Sequence, residues 1–211
     1  MFDQEWATNG LLDKAANFLA DWIKKQDIKG AKIEVLKEPN LTPLLFVEID
    51  GSAPNDPTIL MYGHFDKQPP MTGWSEGLGP TNPVIIDDKL YGRGSVDDGY
   101  AIFAYILAIK ALQVNNLPHA RVCILLEGDE ESGSSHLKDY LEKLEGRIGT
   151  PSMIIISDAG CLNYEQLWIT TTLRGHVKAK LTVKIITEGV HSGDASGVVP
   201  DTFRIIRMLL R

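Results

Sequence analysis

Three solid apolar runs constrain this chain more than any other feature: "TILMYG" (58–63), "RVCILLEG" (121–128) and "SMIIISD" (152–158). Runs of this length, rich in β-branched residues and free of alternation, read as strands buried on both faces of a parallel sheet. Between the first two lies "DDGYAIFAYILAIKALQ" (97–113), apolar enough for a buried helix. Between the second and third, Leu137, Tyr140, Leu141 and Leu144 trace one face of another helix. Strand and helix alternating in this way predict an α/β domain with right-handed crossovers. The expected architecture is an open, mostly parallel sheet with helices on both faces. Upstream, Leu11, Leu12, Ala15, Leu19, Trp22 and Ile23 recur at helical spacing and predict an amphipathic helix of about twenty residues.

The pattern changes near Gly175. In "HVKAKLTVKI", apolar Val177, Ala179, Leu181, Val183 and Ile185 alternate with polar Lys178, Lys180, Thr182 and Lys184. Strict alternation belongs to a sheet with one wet face, so a different layer or domain is expected here. After "TEGVHSGDASG", Pro200 and Asp201 are expected to start a helix with Ile205, Ile206, Leu209 and Leu210 on its apolar face. The division predicted is 1–174 for an α/β domain and 175–211 for the beginning of a second domain. The chain stops at Arg211 with no capping residue or return strand, and is expected to be cut from something longer.

Composition excludes several classes. A formal charge of −7 and the lack of a basic stretch give no reason to expect nucleic-acid binding. No run is long enough to span a bilayer, and "MFDQEWATNG" lacks the layout of a signal peptide. Two cysteines, Cys123 and Cys161, make no disulfide framework, and Cys123 reads as a small buried hydrophobe. A reducing, cytoplasmic setting is the expectation.

Each apolar run finishes in potential metal ligands. The first ends in His64 and Asp66, the second in Glu127, Asp129, Glu130 and Glu131, the third in Asp158. Asp97 and Asp98 open the helix after "YGRGSV". In an open parallel sheet, ligands bind beyond the carboxyl ends of the strands. Acidic groups brought together there repel one another and are costly to desolvate unless a cation joins them, so divalent metal ions are expected. Positions i and i+2 of extended backbone share a face, so Asp66 can follow His64 into the crevice. A carboxylate on the far ring nitrogen of a metal-bound histidine fixes its tautomer, which casts Asp66 as an orienter. Adjacent Glu130 and Glu131 point in different directions, so one can bind metal while the other faces water. That split suits a metal-assisted hydrolase.

The ordered motifs "YGHFDKQP", "LYGRGSVDD", "LLEGDEESGS", "ISDAG", "TLRG" and "HSGDASG" resemble those of a family of di-zinc peptidases. It includes carnosine dipeptidases, cytosolic non-specific dipeptidase, acetylornithine deacetylase, succinyl-diaminopimelate desuccinylase and aminoacylase. The resemblance implies a catalytic α/β domain interrupted by a smaller α+β lid that also forms a homodimer. It implies His64, Asp97 and Asp158 as ligands of one metal, with Asp97 bridging to a second held by Glu131. Glu130 resembles the general base, Asp66 the orienting carboxylate, and His191 the lid histidine that steadies the oxyanion in the partner's site. The two divalent ions would be zinc, with manganese or cobalt as alternatives.

An aspartate at position 158 goes, within that family, with dipeptidase members. The implied reaction is therefore hydrolysis of dipeptides or small peptides with a free amino terminus. The enzyme alternative is an N-acyl-amino-acid deacylase, and the alternative from another class is an inactive binding or assembly fragment. Three departures stand out. Gly99 replaces the family's lysine after the two aspartates, "GWSEGLGP" lacks the usual Pro-Phe after Trp74, and the histidine expected for the second metal lies beyond Arg211. Without it the 211-residue chain is expected to be inactive. His119, His136 and His176 are not at matching positions, and His119 and His136 are expected at the surface.

Overall fold

The computed structural model describes residues 5–211. The chain forms two compact units, Met1–Trp168 and Ile169–Arg211. In the first, in chain order, stand α1 (Trp6–Asn9), α2 (Leu11–Lys24), β1 (Ala31–Leu36), β2 (Leu44–Ile49), β3 (Thr58–His64), β4 (Val84–Ile86), β5 (Lys89–Tyr91), α3 (Ala101–Val114), β6 (Arg121–Glu127), α4 (Leu137–Ile148) and β7 (Met153–Ile156). The second holds α5 (Ser192–Ala195) and α6 (Thr202–Leu209).

The main sheet has five strands in the order β1-β2-β6-β3-β7. The three apolar runs are its parallel part, β3 pairing with β6 on one side and β7 on the other. β1 and β2 add an antiparallel half, so the sheet is mixed. These two strands were not singled out in the sequence. β4 and β5 form a separate hairpin.

Period-two geometry sends successive β6 side chains to opposite faces. Val122, Ile124 and Leu126 join Leu45, Val47 and Ile49 under α2 and α3, around Ala16, Ala20, Ile23, Ile102 and Ile106. Cys123 and Leu125 join Leu44 and Phe46 against Tyr140, Leu144 and Ile148 of α4. Helices thus cover both faces. Each fully buried Leu, Ile or Phe in these layers contributes roughly 1.5–3 kcal/mol.

β6 is central and buried as expected, but β7 is not. It pairs only with β3, and Met153, Ile154 and Ile156 are exposed. It lies at the sheet edge, where Ile155 is its one partly buried residue, packed against the first core layer. In the second unit the alternating segment makes no hydrogen-bonded strand among the described residues. The helix signal at Asp201 holds: its carboxylate accepts from Arg204 N at 2.8 Å and caps α6.

Candidate metal centre

Because β3, β6 and β7 run parallel, their carboxyl ends emerge at one edge of the sheet. His64, the last residue of β3, is buried, and its ring organises what surrounds it. Nδ1 lies 3.3 Å from Asp66 Oδ1. Nε2 lies 3.2 Å from Asp97 Oδ1, 3.7 Å from Asp158 Oδ2 and 3.8 Å from Glu130 Oε2. His64, Asp97 and Asp158 each offer a donor atom within 4.8 Å of the others, and among the described residues no second such group occurs. One imidazole nitrogen with carboxylate oxygens is a donor set that suits zinc and neighbouring divalent ions.

Asp66 organises the next loop as well. Its Oδ1 accepts from Glu130 N at 3.1 Å and its Oδ2 from Glu131 N at 3.2 Å. Buried Asp98 accepts from His64 N at 3.1 Å and from Ala101 N at 3.2 Å, joining β3 to the start of α3. This approach depends on Gly63, where a Cβ would stand 2.5 Å from Asp98 Oδ2.

Crowded carboxylates leave an electrostatic trace. Burial alone pushes the His64 imidazole down, but Asp66, Asp158 and Glu130 outweigh it and raise the pKa to about 9. Burial raises Asp158 and Glu130 above the ordinary carboxylate range; His64 opposes this, and each is raised further by the other acids around it. Negative charge is in excess here, and a divalent cation would relieve it.

The four carboxylates after β6 do not all face this point. Buried Glu127 accepts from Tyr62 Oη and, at 2.8 Å, from Ser134 Oγ. Buried Asp129 accepts from Thr42 Oγ1 at 3.3 Å and from His136 N at 3.2 Å. Protein donors satisfy both oxygens of Asp129, whereas both bonds to Glu127 fall on Oε1 and its buried Oε2 has no partner among the described residues. Glu131 receives the backbone N of Gln68 at 3.1 Å and its side-chain amide. Only Glu130 approaches His64. Adjacent side chains in a tight turn diverge, and each carboxylate takes the donors in its own direction.

His136 is likewise not a surface residue. It sits half-buried at the start of α4, where Nδ1 takes Thr42 N at 3.2 Å and the ring lies 5.7 Å from that of Trp6. His119 is held by Ala120 O and Gln113 through its two ring nitrogens. His176 and His191 belong to the second unit and are exposed; His191 Nδ1 accepts from Gly193 N at 3.1 Å. Gly99 leaves no room for any side chain, since a Cβ there would collide with Gly94 O. Near the altered loop, Trp74 Nε1 donates to Pro70 O at 2.9 Å.

Lys67 and Gln68 were not singled out in the sequence. Lys67 Nζ donates to Phe65 O and Asp66 O at 3.1 Å each, and to Asp98 O. Their only sequence signal is position, directly after the His-x-Asp pair.

Residues 60–202, more than half of the chain, match the family described as Peptidase family M20/M25/M40. The chain is 32% identical over 176 residues to the Beta-Ala-His dipeptidase of Mus musculus, covering 81% of this chain and 35% of that protein. Among solved structures it is similar to the di-peptidase Dug1p from Saccharomyces cerevisiae, with a TM-score of 0.60 at 25% identity over 97% of this chain and 46% of that one. It is also similar to the M20 family metallo-carboxypeptidase Sso-CP2 from Sulfolobus solfataricus, with a TM-score of 0.61 at 31% identity over 74% and 34% of the two chains. The chain thus spans less than half the length of each of these relatives. Since the matched stretch takes in the whole strand-end cluster, the chain belongs to peptidase family M20/M25/M40.

Proposed function

We propose that this chain is the metal-binding part of a dipeptidase, hydrolysing the amide bond of dipeptides or small peptides with a free amino terminus. The observation that carries the reading is His64: Asp66 meets one ring nitrogen, and Asp97, Asp158 and Glu130 gather at the other. Relatives named as dipeptidases support the substrate class.

In this reading His64, Asp97 and Asp158 would hold one divalent ion, and Asp97 with Glu131 would contribute to a second; zinc is favoured over manganese or cobalt. Such ions supply Lewis-acid polarisation of the scissile carbonyl and bring the pKa of a water toward ~7. Asp66 keeps the proton on Nδ1 and leaves the Nε2 lone pair free to coordinate. Glu130, half-buried and raised in pKa, takes a proton from the attacking water as oxygen bonds to the carbonyl carbon. It returns that proton to the amine as the C–N bond breaks. His191 is assigned the oxyanion contact in a partner subunit, within a homodimer built through the second domain. Unpaired Cys123 and Cys161 accord with a cytoplasmic setting.

The test is a substrate panel on the full-length protein, with dipeptides and N-acyl amino acids in the presence of zinc, manganese or cobalt. Turnover of dipeptides is expected. Cleavage of N-acyl amino acids with none of dipeptides would overturn the dipeptidase assignment.

A further inference from the structure

We infer that Lys67 is a positioning residue for the metal centre, its ammonium cross-linking the two segments that carry His64 and Asp97. The inference rests on the metal-centre reading above and deepens it.

An ammonium has three N–H donors. Those of Lys67 meet three backbone carbonyls, Phe65 O, Asp66 O and Asp98 O. Two of these belong to the segment after β3 and one to the turn before α3. The same two segments place His64 Nε2 and Asp97 Oδ1 3.2 Å apart. The same segments are also tied by the bond from His64 N to Asp98 Oδ2 and by the Arg93 guanidinium, which donates to Pro69 O at 3.0 Å. Lys67 alone among these ties reaches the main chain of both segments at once, bonding two carbonyls of one and one of the other.

The site is built around this side chain. Gly94 lies against its stem, where a Cβ would collide with Cδ and Cε. Part of the stem borders a cavity of about 420 Å³ lined by Leu11, Phe18, Ile102 and Phe103. Apolar contact along the stem with the charge delivered at its tip is how a long cationic side chain is accommodated at a half-buried position. Burial holds the Lys67 pKa below its ordinary value, and the facing carboxylates of Asp98, Asp66, Asp97 and Glu131 partly oppose this by favouring the charged form. A methionine would fill the stem's space but take the ammonium from Phe65 O and Asp98 O, leave Asp66 O only its 3.1 Å contact with His64 Nδ1, and free the acidic turns to spread.

A fixed cation beside a metal site also repels the metal, so the two effects of Lys67 oppose each other. The inference holds that positioning outweighs repulsion, and the sign of the change on removing the charge decides it. Cobalt(II) is the probe, because its visible absorption reports coordination geometry as well as occupancy. Every protein carries Cys161→Ser so that no exposed native thiol reacts. Lys67→Met is expected to weaken cobalt binding about tenfold or more and to change the spectrum, in the range measured for groups that orient ligands. Lys67→Cys is expected to behave likewise. Alkylating that cysteine with 2-bromoethylamine, which forms a thioether and releases bromide, restores an ammonium at the same reach and is expected to restore both affinity and spectrum.

Unchanged or tighter cobalt binding in Lys67→Met would overturn the inference. So would a loss in Lys67→Cys that aminoethylation fails to repair, including the case where Lys67→Met does not fold. If the parent and its His64→Ala variant bind cobalt alike, the metal-centre reading itself fails, an outcome separate from either result at Lys67.

Discussion

The carboxylate of Asp66 stands 3.3 Å from His64 Nδ1, and the same two oxygens receive the backbone amides of Glu130 and Glu131. One side chain therefore sets the orientation of the imidazole and the position of the acidic turn together. Asp66→Ala is expected to lower affinity for a divalent ion by about 10–100-fold. It is also expected to cost about 1–3 kcal/mol of stability, because buried donors lose their acceptor. Metal titration and chemical denaturation of the same variant check both; a loss of stability with unchanged affinity would remove Asp66 from the metal site.

Glu130 and Glu131 are neighbours with different surroundings. In the full-length protein, Glu130→Gln is expected to lower kcat by at least ~10²-fold with metal content near that of the parent. Glu131→Gln is expected to lower metal content as well. Metal analysis alongside steady-state kinetics separates them. The reverse pattern would exchange the two roles.

Glu127 gives a pH signature. Burial raises its pKa to about 7 from the ordinary 4.5; the Tyr62 hydroxyl opposes the rise and neighbouring Asp129 adds to it. The native state thus keeps a proton over the interval in which the unfolded chain releases it. Stability contributed by this group is present below about pH 4.5 and is lost as pH rises through about 7. Glu127→Gln is expected to flatten that limb of the metal-free protein's stability curve. Denaturation midpoints across the interval measure it, and an identical slope in both proteins would contradict the assignment.

The Tyr140 hydroxyl donates to Thr42 O at 2.8 Å and accepts from Glu38 N at 3.3 Å, pinning α4 to the connection between β1 and β2. Tyr140→Phe leaves both groups without that partner and is expected to cost about 1–2 kcal/mol. Equilibrium unfolding with an unchanged midpoint would contradict it.

The sequence disclosed the parallel strands and the strand-end cluster for one reason: continuous apolar runs and the charged residues that stop them are local signals. β1 and β2 were passed over because "AKIEVL" and "LLFVEI" are short and carry charged Glu34 and Glu48. Those charges are tolerated because Arg147 reaches both glutamates and Arg121 reaches Glu48, partners far along the chain. β7 reads as a buried strand, since hydrophobicity reports what a residue favours and not whether a neighbour covers it. The same limit hid the division among the four carboxylates: Glu127 and Asp129 are distinguished from Glu130 only by Tyr62, Ser134, Thr42 and His136 folding onto them. No local signal in the sequence sets Lys67 apart. Its three acceptors become visible only when the turn at Asp98 lies beside it.

The central claim is that His64, Asp97 and Asp158 hold a divalent ion. Anomalous diffraction from crystals grown with zinc, recorded on both sides of its absorption edge, tests it most directly. The expected result is a peak about 2.0–2.2 Å from His64 Nε2 and from one oxygen each of Asp97 and Asp158. A zinc peak coordinated by other residues, or none at this cluster in zinc-saturated crystals, would contradict the account.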